Sequence, residues 1–189
     1  VRAEEGREDG ALTVPGMPTI ETDQLSKDYT VGFWRPRPYR ALDRLTLQVG
    51  EGEVFGFLGP NGAGKTTTLK LLTQLIYPTS GRISILGRQP GDLDLRRRIG
   101  YLPEAPYFYD YLTPLEYLDF VGRLVGLSAS SRRERSHDLL ERLGLRAARH
   151  VAVRRFSKGM VQRLGLAQAL INDPDLVFLD EPMSGLDPL

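Results

Sequence analysis

The sequence predicts an α/β fold in which strands and helices build a ligand-binding core. Two short apolar segments, residues 53–58 and 176–179, have the length and composition of buried strands. A glycine-rich loop and a helical pattern follow the first segment, and two acidic residues follow the second. Ligands bind at the carboxyl ends of strands in open α/β sheets, so both segments are expected to deliver functional residues.

The composition excludes several kinds of site. The net charge of the 189 residues is only +1, so no overall field favours nucleic acid or an anionic membrane. Cysteine is absent, which excludes disulfides, cysteine-ligated zinc and thiol catalysis. No apolar run approaches the roughly 20 residues that a membrane-spanning helix needs. We therefore do not expect nucleic acid as a partner, and we expect any membrane link to come through another chain.

The N-terminal part of the sequence predicts a tail followed by edge strands. Residues 1–18 are charged and poor in large apolar side chains, so we expect them to be disordered and the domain to begin at 19. Residues 20–25 and 45–49 alternate between apolar and polar types, as edge strands do. Between them, residues 31–39 predict a loop broken by prolines. This region forms the expected N-terminal antiparallel β element.

The middle of the sequence changes from strands to helices. Residues 81–86 and 99–102 predict two further short strands. Thr113 is a suitable N-cap because Pro114 and Glu116 follow it, the pattern of a capping box with proline at the first helical position. Helices are predicted over residues 113–127, 131–143 and 157–172.

A phosphate-binding loop is the most specific motif, because residues 59–67 match G-x-x-x-x-G-K-[ST]. Its members are Gly59, Pro60, Asn61, Gly62, Ala63, Gly64, Lys65, Thr66 and Thr67. The glycines let backbone N–H groups surround phosphates, and the following helix adds its positive end. Lys65 is predicted to bind the β- and γ-phosphates and Thr66 to hold Mg²⁺. The alternative, a glycine-rich turn without a ligand, is disfavoured by the flanking strand and helix.

A pair of acids, Asp180 and Glu181, follows the apolar segment at 176–179. Beside a phosphate-binding loop, Asp180 is expected to bind Mg²⁺ and Glu181 to act as the general base that accepts a proton from the attacking water. The alternative is a strand that ends in an ordinary solvated turn.

Further motifs resemble those of the ABC ATPase family. Residues 156–164 resemble the family's signature motif, and residues 184–187 resemble its D-loop. Residues 99–104 occupy the position of the Q-loop, and Tyr29 occupies that of the A-loop aromatic. These motifs occur in the family's order over residues 19–189. The resemblance implies a P-loop NTPase core with a helical arm, about residues 106–170, that carries the signature.

The resemblance also implies ligands and partners. Tyr29 would stack on the adenine of ATP, and Ser157 and Gly159 would contact the γ-phosphate held by a second ATPase subunit. Ser157 and Gly159 at a helix start do form an anion site on physical grounds, although a plain serine N-cap is the alternative. A transmembrane permease subunit would be the other partner, which places the protein at the cytoplasmic face of the cell membrane.

Two positions depart from the usual family pattern. Glu104 stands where the Q-loop has glutamine. One interpretation is that it binds Mg²⁺ or water, as a third negative group near Asp180 and Glu181. The alternative is that it faces solvent. Lys158 replaces the first glycine of the common signature and either helps to bind the γ-phosphate or is a solvated lysine. Residues 101–104 and 157–160 together resemble ATPase subunits of ABC-2 type exporters.

The position at which the sequence stops suggests an incomplete domain. Leu189 comes just after the D-loop, whereas the switch histidine of the family lies further on, and His137 and His150 both precede the acid pair. In P-loop ATPases of this class, a later strand lies between the strands at 53–58 and 176–179. We therefore interpret the sequence as the N-terminal part of a longer subunit and expect this part alone to be inactive.

The function implied is that of an ATP-binding and ATP-hydrolysing subunit that powers an ABC transporter, with an exporter favoured. One alternative is a non-transport ABC ATPase that acts on ribosomes or DNA. The short segment between Lys65 and Ser157 leaves no room for the long coiled coil of the DNA-associated types. Another alternative is a regulatory nucleotide-binding module, and the intact Lys65, Asp180 and Glu181 argue against it.

Overall fold

A computed structural model describes residues 2–4 and 18–183 of the chain. The chain divides into two compact units, residues 1–95 and 96–189. The predicted α/β content is confirmed, because strands and helices occur in both units.

The first unit contains an antiparallel sheet and the phosphate-binding loop. Its strands are β1 (Arg2–Glu4), β2 (Ile20–Val31), β3 (Arg37–Val49), β4 (Gly56–Leu58) and β5 (Ser80–Ile85), and its helix is α1 (Lys65–Leu72). The main sheet has the order β3-β2-β5, and Ile20 pairs with both Val49 and Ile85. The short helix α2 (Leu93–Arg97) lies where the two units meet along the sequence.

The β2–β3 hairpin is longer than its sequence pattern predicts. Residues 31–39 were expected to form a loop, yet only residues 32–36 connect the two strands. Residues 37–40 are exposed on both faces of the ribbon, so no apolar alternation marks them as a strand. Pro38 pairs with Thr30 and is tolerated because β3 is an edge strand, which can do without one N–H donor.

Strand β4 is exposed, which corrects the expectation that residues 53–58 form a buried strand. Val54 is 101% exposed and Leu58 is also exposed. Within the described ranges, 2–4 and 18–183, β4 is hydrogen-bonded only to β1, with Arg2 opposite Leu58. A strand is buried by the elements around it, so an apolar sequence alone does not fix its burial. The short strand at Arg2–Glu4 also differs from the disorder expected for residues 1–18, of which residues 1 and 5–17 lie outside the described part.

The second unit combines two parallel strands with a group of helices. The strands are β6 (Ile99–Leu102) and β7 (Leu176–Leu179), paired in register from Ile99 with Leu176 to Leu102 with Leu179. The helices are α3 (Pro114–Leu124), α4 (Ala129–Arg142) and α5 (Lys158–Leu170). The helices enclose an apolar core of Phe108, Tyr117, Leu118, Leu140, Leu145, Val153, Leu164, Ala167 and Ile171.

Local sequence signals set the helix boundaries in this unit. The Thr113 side chain accepts a hydrogen bond from the Glu116 N–H, and the Glu116 carboxylate accepts one from the Thr113 N–H, which confirms the capping box. Helix α5 packs on β6 because Gly100 and Gly165 allow close approach: a Cβ at Gly100 would overlap the Ala169 carbonyl. Within residues 2–4 and 18–183, the structure contains no helix with the length and apolarity that crossing a membrane requires.

Candidate nucleotide-binding site

The phosphate-binding loop adopts a conformation that depends on its glycines. Gly59, Gly62 and Gly64 have φ values of 155°, 83° and 86°. Gly64 is the N-cap of α1, and a Cβ there would lie 2.6 Å from the carbonyl oxygen of Ala41. A Cβ at Gly62 would meet nothing within 4 Å, so the centre of the loop opens onto free space. The loop therefore presents backbone groups at a helix N-terminus, the arrangement that binds phosphate.

Lys65 lies across this loop. Its Nζ donates hydrogen bonds to the carbonyl oxygens of Gly59 and Pro60, at 2.7 and 3.1 Å. These bonds hold the positive charge at the mouth of the loop. Phosphate oxygens carry charge and are stronger acceptors than carbonyls, so an entering triphosphate would compete well for the ammonium group.

Tyr29 lies on β2 of the β2–β3 hairpin, in the same unit as this loop. It pairs with Tyr39 across the strands, and the Lys27 Nζ lies 5.3 Å from the centre of its ring. The pairing register shifts between Lys27 and Asp28, which leaves Ala41 as the extra residue of a β-bulge. Because the Ala41 carbonyl contacts the N-cap of α1, the tyrosine pair is only two residues, or roughly 7 Å of strand, from that contact.

A cavity of about 500 Å³ adjoins the same loop. It is lined by Gln24, by residues 41–46 of β3 and by Ala63 of the loop. The space beside the phosphate-binding loop is therefore open on the side of the bulged strand.

The acid pair follows β7 in the second unit. The Asp180 N–H donates to the Leu102 carbonyl at 2.9 Å and so extends the pairing of β6 with β7 by one bond. Asp180 is 5% exposed, whereas Glu181 is exposed and has a φ of 52°. Burial and the negative charge of Asp180 raise the pKa of Tyr101. The Asp180 side chain therefore lies in a partly desolvated environment at the end of β7.

The signature residues begin helix α5. The Ser157 Oγ accepts the Met160 N–H at 3.3 Å, and Ser157 is exposed. The Ser157 side chain therefore caps α5. Lys158 is exposed, and the Gly159 carbonyl accepts a bond from Arg163 at 3.3 Å. The helix start still presents its positive end to solvent.

Gln162 is a residue of this region that sequence reasoning missed. It is 4% exposed, and its Nε2 donates to the carbonyl oxygens of Pro182 and Glu181 at 3.3 and 3.5 Å. The available signal was the spacing of Gln162 from Gly165 and Ala169, three and seven residues later, which places the glutamine on the same helix face as these small residues. A polar side chain on a buried face needs hydrogen-bond partners, and Gln162 finds them in the segment that carries Glu181.

Glu104 is exposed to solvent, as in the alternative given above for this residue. In the part of the chain that the structure describes, no three His, Cys, Asp or Glu side chains lie close enough to hold a metal ion. Mg²⁺ in nucleotide sites is usually held by one or two carboxylates together with phosphates, so a magnesium ion that arrives with a nucleotide does not require a cluster of three acids.

The structure distributes the predicted site residues between the two units. Residues 59–67 and Tyr29 belong to the first unit, whereas Glu104, Ser157, Gly159, Asp180 and Glu181 belong to the second. The predicted D-loop, residues 184–187, lies outside the described residues. His137 and His150 are exposed.

Comparison with known proteins identifies the family. The sequence profile described as ABC transporter matches residues 42–184. An uncharacterized ABC transporter ATP-binding protein of Synechocystis is 50% identical over 172 residues, which are 90% of this chain and 49% of that protein. The bacitracin transport ATP-binding protein BcrA of Bacillus licheniformis is 41% identical over 90% of this chain and 53% of its own length.

Solved structures agree with these sequence matches. The ATP-binding cassette MJ0796, in a dimeric post-hydrolysis state bound to ADP and Pi, superposes with a TM-score of 0.78 and 28% identity. The match covers 89% of this chain and 76% of that cassette. The chain spans about half the length of the curated relatives it matches. Profile, sequence and structure together show that this chain belongs to the ABC transporter family of ATP-binding proteins.

Proposed function

We propose that this chain belongs to the subunit that binds and hydrolyses ATP to power an ABC transporter, and that the transporter is an exporter. The phosphate-binding loop with Lys65 across its mouth carries the proposal. Exporter function is supported by residues 101–104 and 157–160, which resemble the ABC-2 type group, and by the relative named for bacitracin transport.

Each half of the site has a defined task in this proposal. Lys65 and the N–H groups of residues 59–67 neutralise and orient the phosphates of ATP, and Tyr29 stacks on the adenine. Thr66 and Asp180 hold Mg²⁺, which neutralises charge on the phosphates when it is bound. Glu181 accepts the proton of the water whose oxygen attacks the γ-phosphorus, while the bond to the bridging oxygen breaks and ADP leaves.

The partners follow from the family. Ser157 and Gly159 contact the γ-phosphate of a nucleotide on a second ATPase subunit, so ATP binding closes a head-to-tail dimer and hydrolysis reopens it. A transmembrane permease subunit uses this cycle, and the ATPase subunit lies at the cytoplasmic face of the membrane. Nucleic acid has no role in the proposal.

Two substitutions in the complete protein test the proposal. Glu181→Gln keeps the size of the side chain but removes the base, so ATP binding should persist while turnover falls by orders of magnitude. Lys65→Ala removes the phosphate-facing cation, so ATP affinity itself should fall sharply. Calorimetry measures binding, and phosphate release measures turnover. Parental turnover in Glu181→Gln, or parental affinity in Lys65→Ala, would show that the assigned role is wrong.

A further inference from the structure

The Gln162 side chain, on helix α5, forms hydrogen bonds with the main chain at Glu181, the proposed general base, and at the next residue, Pro182. Its Nε2 donates to the main-chain carbonyls of Pro182 and Glu181, at 3.3 and 3.5 Å. Gln162 is 4% exposed, so water does not replace these bonds if they are lost. A buried amide that bonds to a loop across 19 and 20 residues of sequence fixes that loop to the helix.

Among residues 2–4 and 18–183, regular strand pairing ends just before the segment that Gln162 holds. Pairing with β6 ends at the bond from the Asp180 N–H to the Leu102 carbonyl. Immediately afterwards, Glu181 adopts a left-handed backbone conformation with φ 52°. A residue other than glycine in this conformation is strained and persists when surrounding contacts hold it. The two bonds from Gln162 are such contacts.

Helix α5 connects these bonds to Ser157, which lies near the start of the signature motif. The helix is capped by Ser157, and Gln162 is five residues later, or about 7.5 Å along the helix axis. Leu164, Gly165 and Ala167 of the same helix are buried, so the helix is packed firmly in the second unit. A shift of the helix start would therefore move the Gln162 amide and the carbonyls bound to it.

We infer that Gln162 is a positioning residue for Glu181: it holds the main chain of the base in its strained conformation and ties it to the helix that begins at the signature motif. The inference rests on the proposed role of Glu181. Contact of Ser157 with a nucleotide on the second subunit is transmitted through α5 to the base. Loss of Gln162 therefore affects turnover, whereas ATP binding by the phosphate-binding loop does not depend on it.

Gln162→Met in the complete protein tests this inference, because methionine has a similar length and no N–H donor. Gln168→Met on the same helix is the matched control, since the Gln168 Oε1 accepts a hydrogen bond from the buried Tyr117 hydroxyl at 2.6 Å. Small displacements of a catalytic group cost about tenfold to a hundredfold in rate. We expect kcat to fall by about that factor in Gln162→Met, with the dissociation constant for ATP within about twofold of the parent. Gln168→Met should lower the melting temperature but keep the parental kcat.

Two further variants separate the possible outcomes. In a Glu181→Gln background, Gln162→Met should cause no further loss in single-turnover rate, because residues that act as one unit are not additive. If Gln162→Met does not fold, Gln162→Asn, which keeps the amide but is one methylene shorter, replaces it; its kcat should be below that of the parent while its dissociation constant for ATP stays parental. A parental kcat in a folded Gln162 variant, or equal losses of kcat in Gln162→Met and Gln168→Met, would overturn the inference. Failure of the proposed function can be told apart from failure of the Gln162 inference. If the proposed function is wrong, the parent and Lys65→Ala will bind and hydrolyse ATP alike.

Discussion

At the scale of single residues, Gly64 has two independent reasons to be glycine. Its φ is 86°, and a Cβ would lie 2.6 Å from the Ala41 carbonyl oxygen. Gly52 has a φ of 75°, but a Cβ there would meet nothing within 4 Å. Substituting alanine at Gly52 and at Gly64 therefore separates two effects on stability. Both substitutions introduce backbone strain, but only the one at Gly64 also introduces a clash at the phosphate-binding loop.

We predict that Gly64→Ala is more destabilising than Gly52→Ala and weakens ATP binding at least about tenfold. Backbone strain at either position costs about 1–2 kcal/mol, and the clash at Gly64 adds to it and displaces the loop. Chemical denaturation measures the stability, and calorimetry measures the affinity for ATP. Equal losses of stability in the two variants, with unchanged ATP binding, would show that the contact with Ala41 does not shape the site.

Glu104 gives a second test at this scale. Its carboxylate is exposed, so Glu104→Gln should leave the stability of the nucleotide-free protein nearly unchanged. If Glu104 reaches the metal during turnover, the substitution will shift the Mg²⁺ concentration that gives half-maximal ATP hydrolysis. We expect the solvent-facing position to persist and the two magnesium titrations to coincide. A clear difference between the titrations would assign Glu104 to the metal site.

At the scale of elements, helix α3 shows how a local motif fixes one end of a helix. The Glu116 carboxylate accepts hydrogen bonds from the Thr113 N–H and from the Thr113 hydroxyl, both at 2.8 Å. The Thr113 bonds lower the pKa of Glu116 from its ordinary value. A carboxyl with a depressed pKa in the folded state stabilises the fold above its unfolded pKa, and this contribution is lost as the pH falls through the folded pKa.

We predict that Thr113→Ala lowers the free energy of unfolding by about 0.5–2 kcal/mol at neutral pH. Because Thr113→Ala removes the hydroxyl contact to Glu116, part of the stability lost on acidification should disappear as well. Ser128→Ala is a suitable control, since the Ser128 side chain caps α4 by accepting the Ser131 N–H. Denaturant titrations from neutral to acidic pH measure both effects. The same acid dependence in parent and Thr113→Ala would contradict the role of the capping box.

At the scale of the whole molecule, the proposed cycle requires two copies of the subunit. The exposed Ser157 at the start of α5 is available to a second subunit, and a similar cassette has been solved as a dimer with ADP and Pi. The positive end of a helix favours an anion such as the γ-phosphate.

We predict that the complete protein with Glu181→Gln forms a stable dimer in ATP and Mg²⁺ but remains monomeric in ADP. Removing the base should stop hydrolysis while the contacts to the γ-phosphate remain. Light scattering coupled to size-exclusion chromatography measures the mass in each nucleotide. Lys65→Ala should remain monomeric in ATP, since it loses the bound phosphate. A dimer that forms equally in ADP would contradict a γ-phosphate-dependent interface.

The sequence by itself determined the features that short-range physics controls. The spacing of Gly59, Gly64 and Lys65 identified the phosphate-binding loop, because the loop needs particular residues at particular positions in one segment. Thr113 and Glu116 located the start of α3, and the apolar residues 99–102 and 176–179 located β6 and β7, since capping and strand propensity act over a few residues. The motif order also identified the family, which the comparisons confirmed.

The tertiary structure decided the features that depend on partners distant in the sequence. The length of the β2–β3 hairpin is set by pairing between strands, such as Thr30 with Pro38, and not by alternation along one strand. The exposure of Val54 on the segment leading into β4 depends on which elements lie beside it. The bonds from Gln162 to the segment of Glu181 join residues 19 and 20 positions apart. A sequence pattern records the type of each residue, whereas the pairing of a buried amide with a distant carbonyl exists only once the chain has folded.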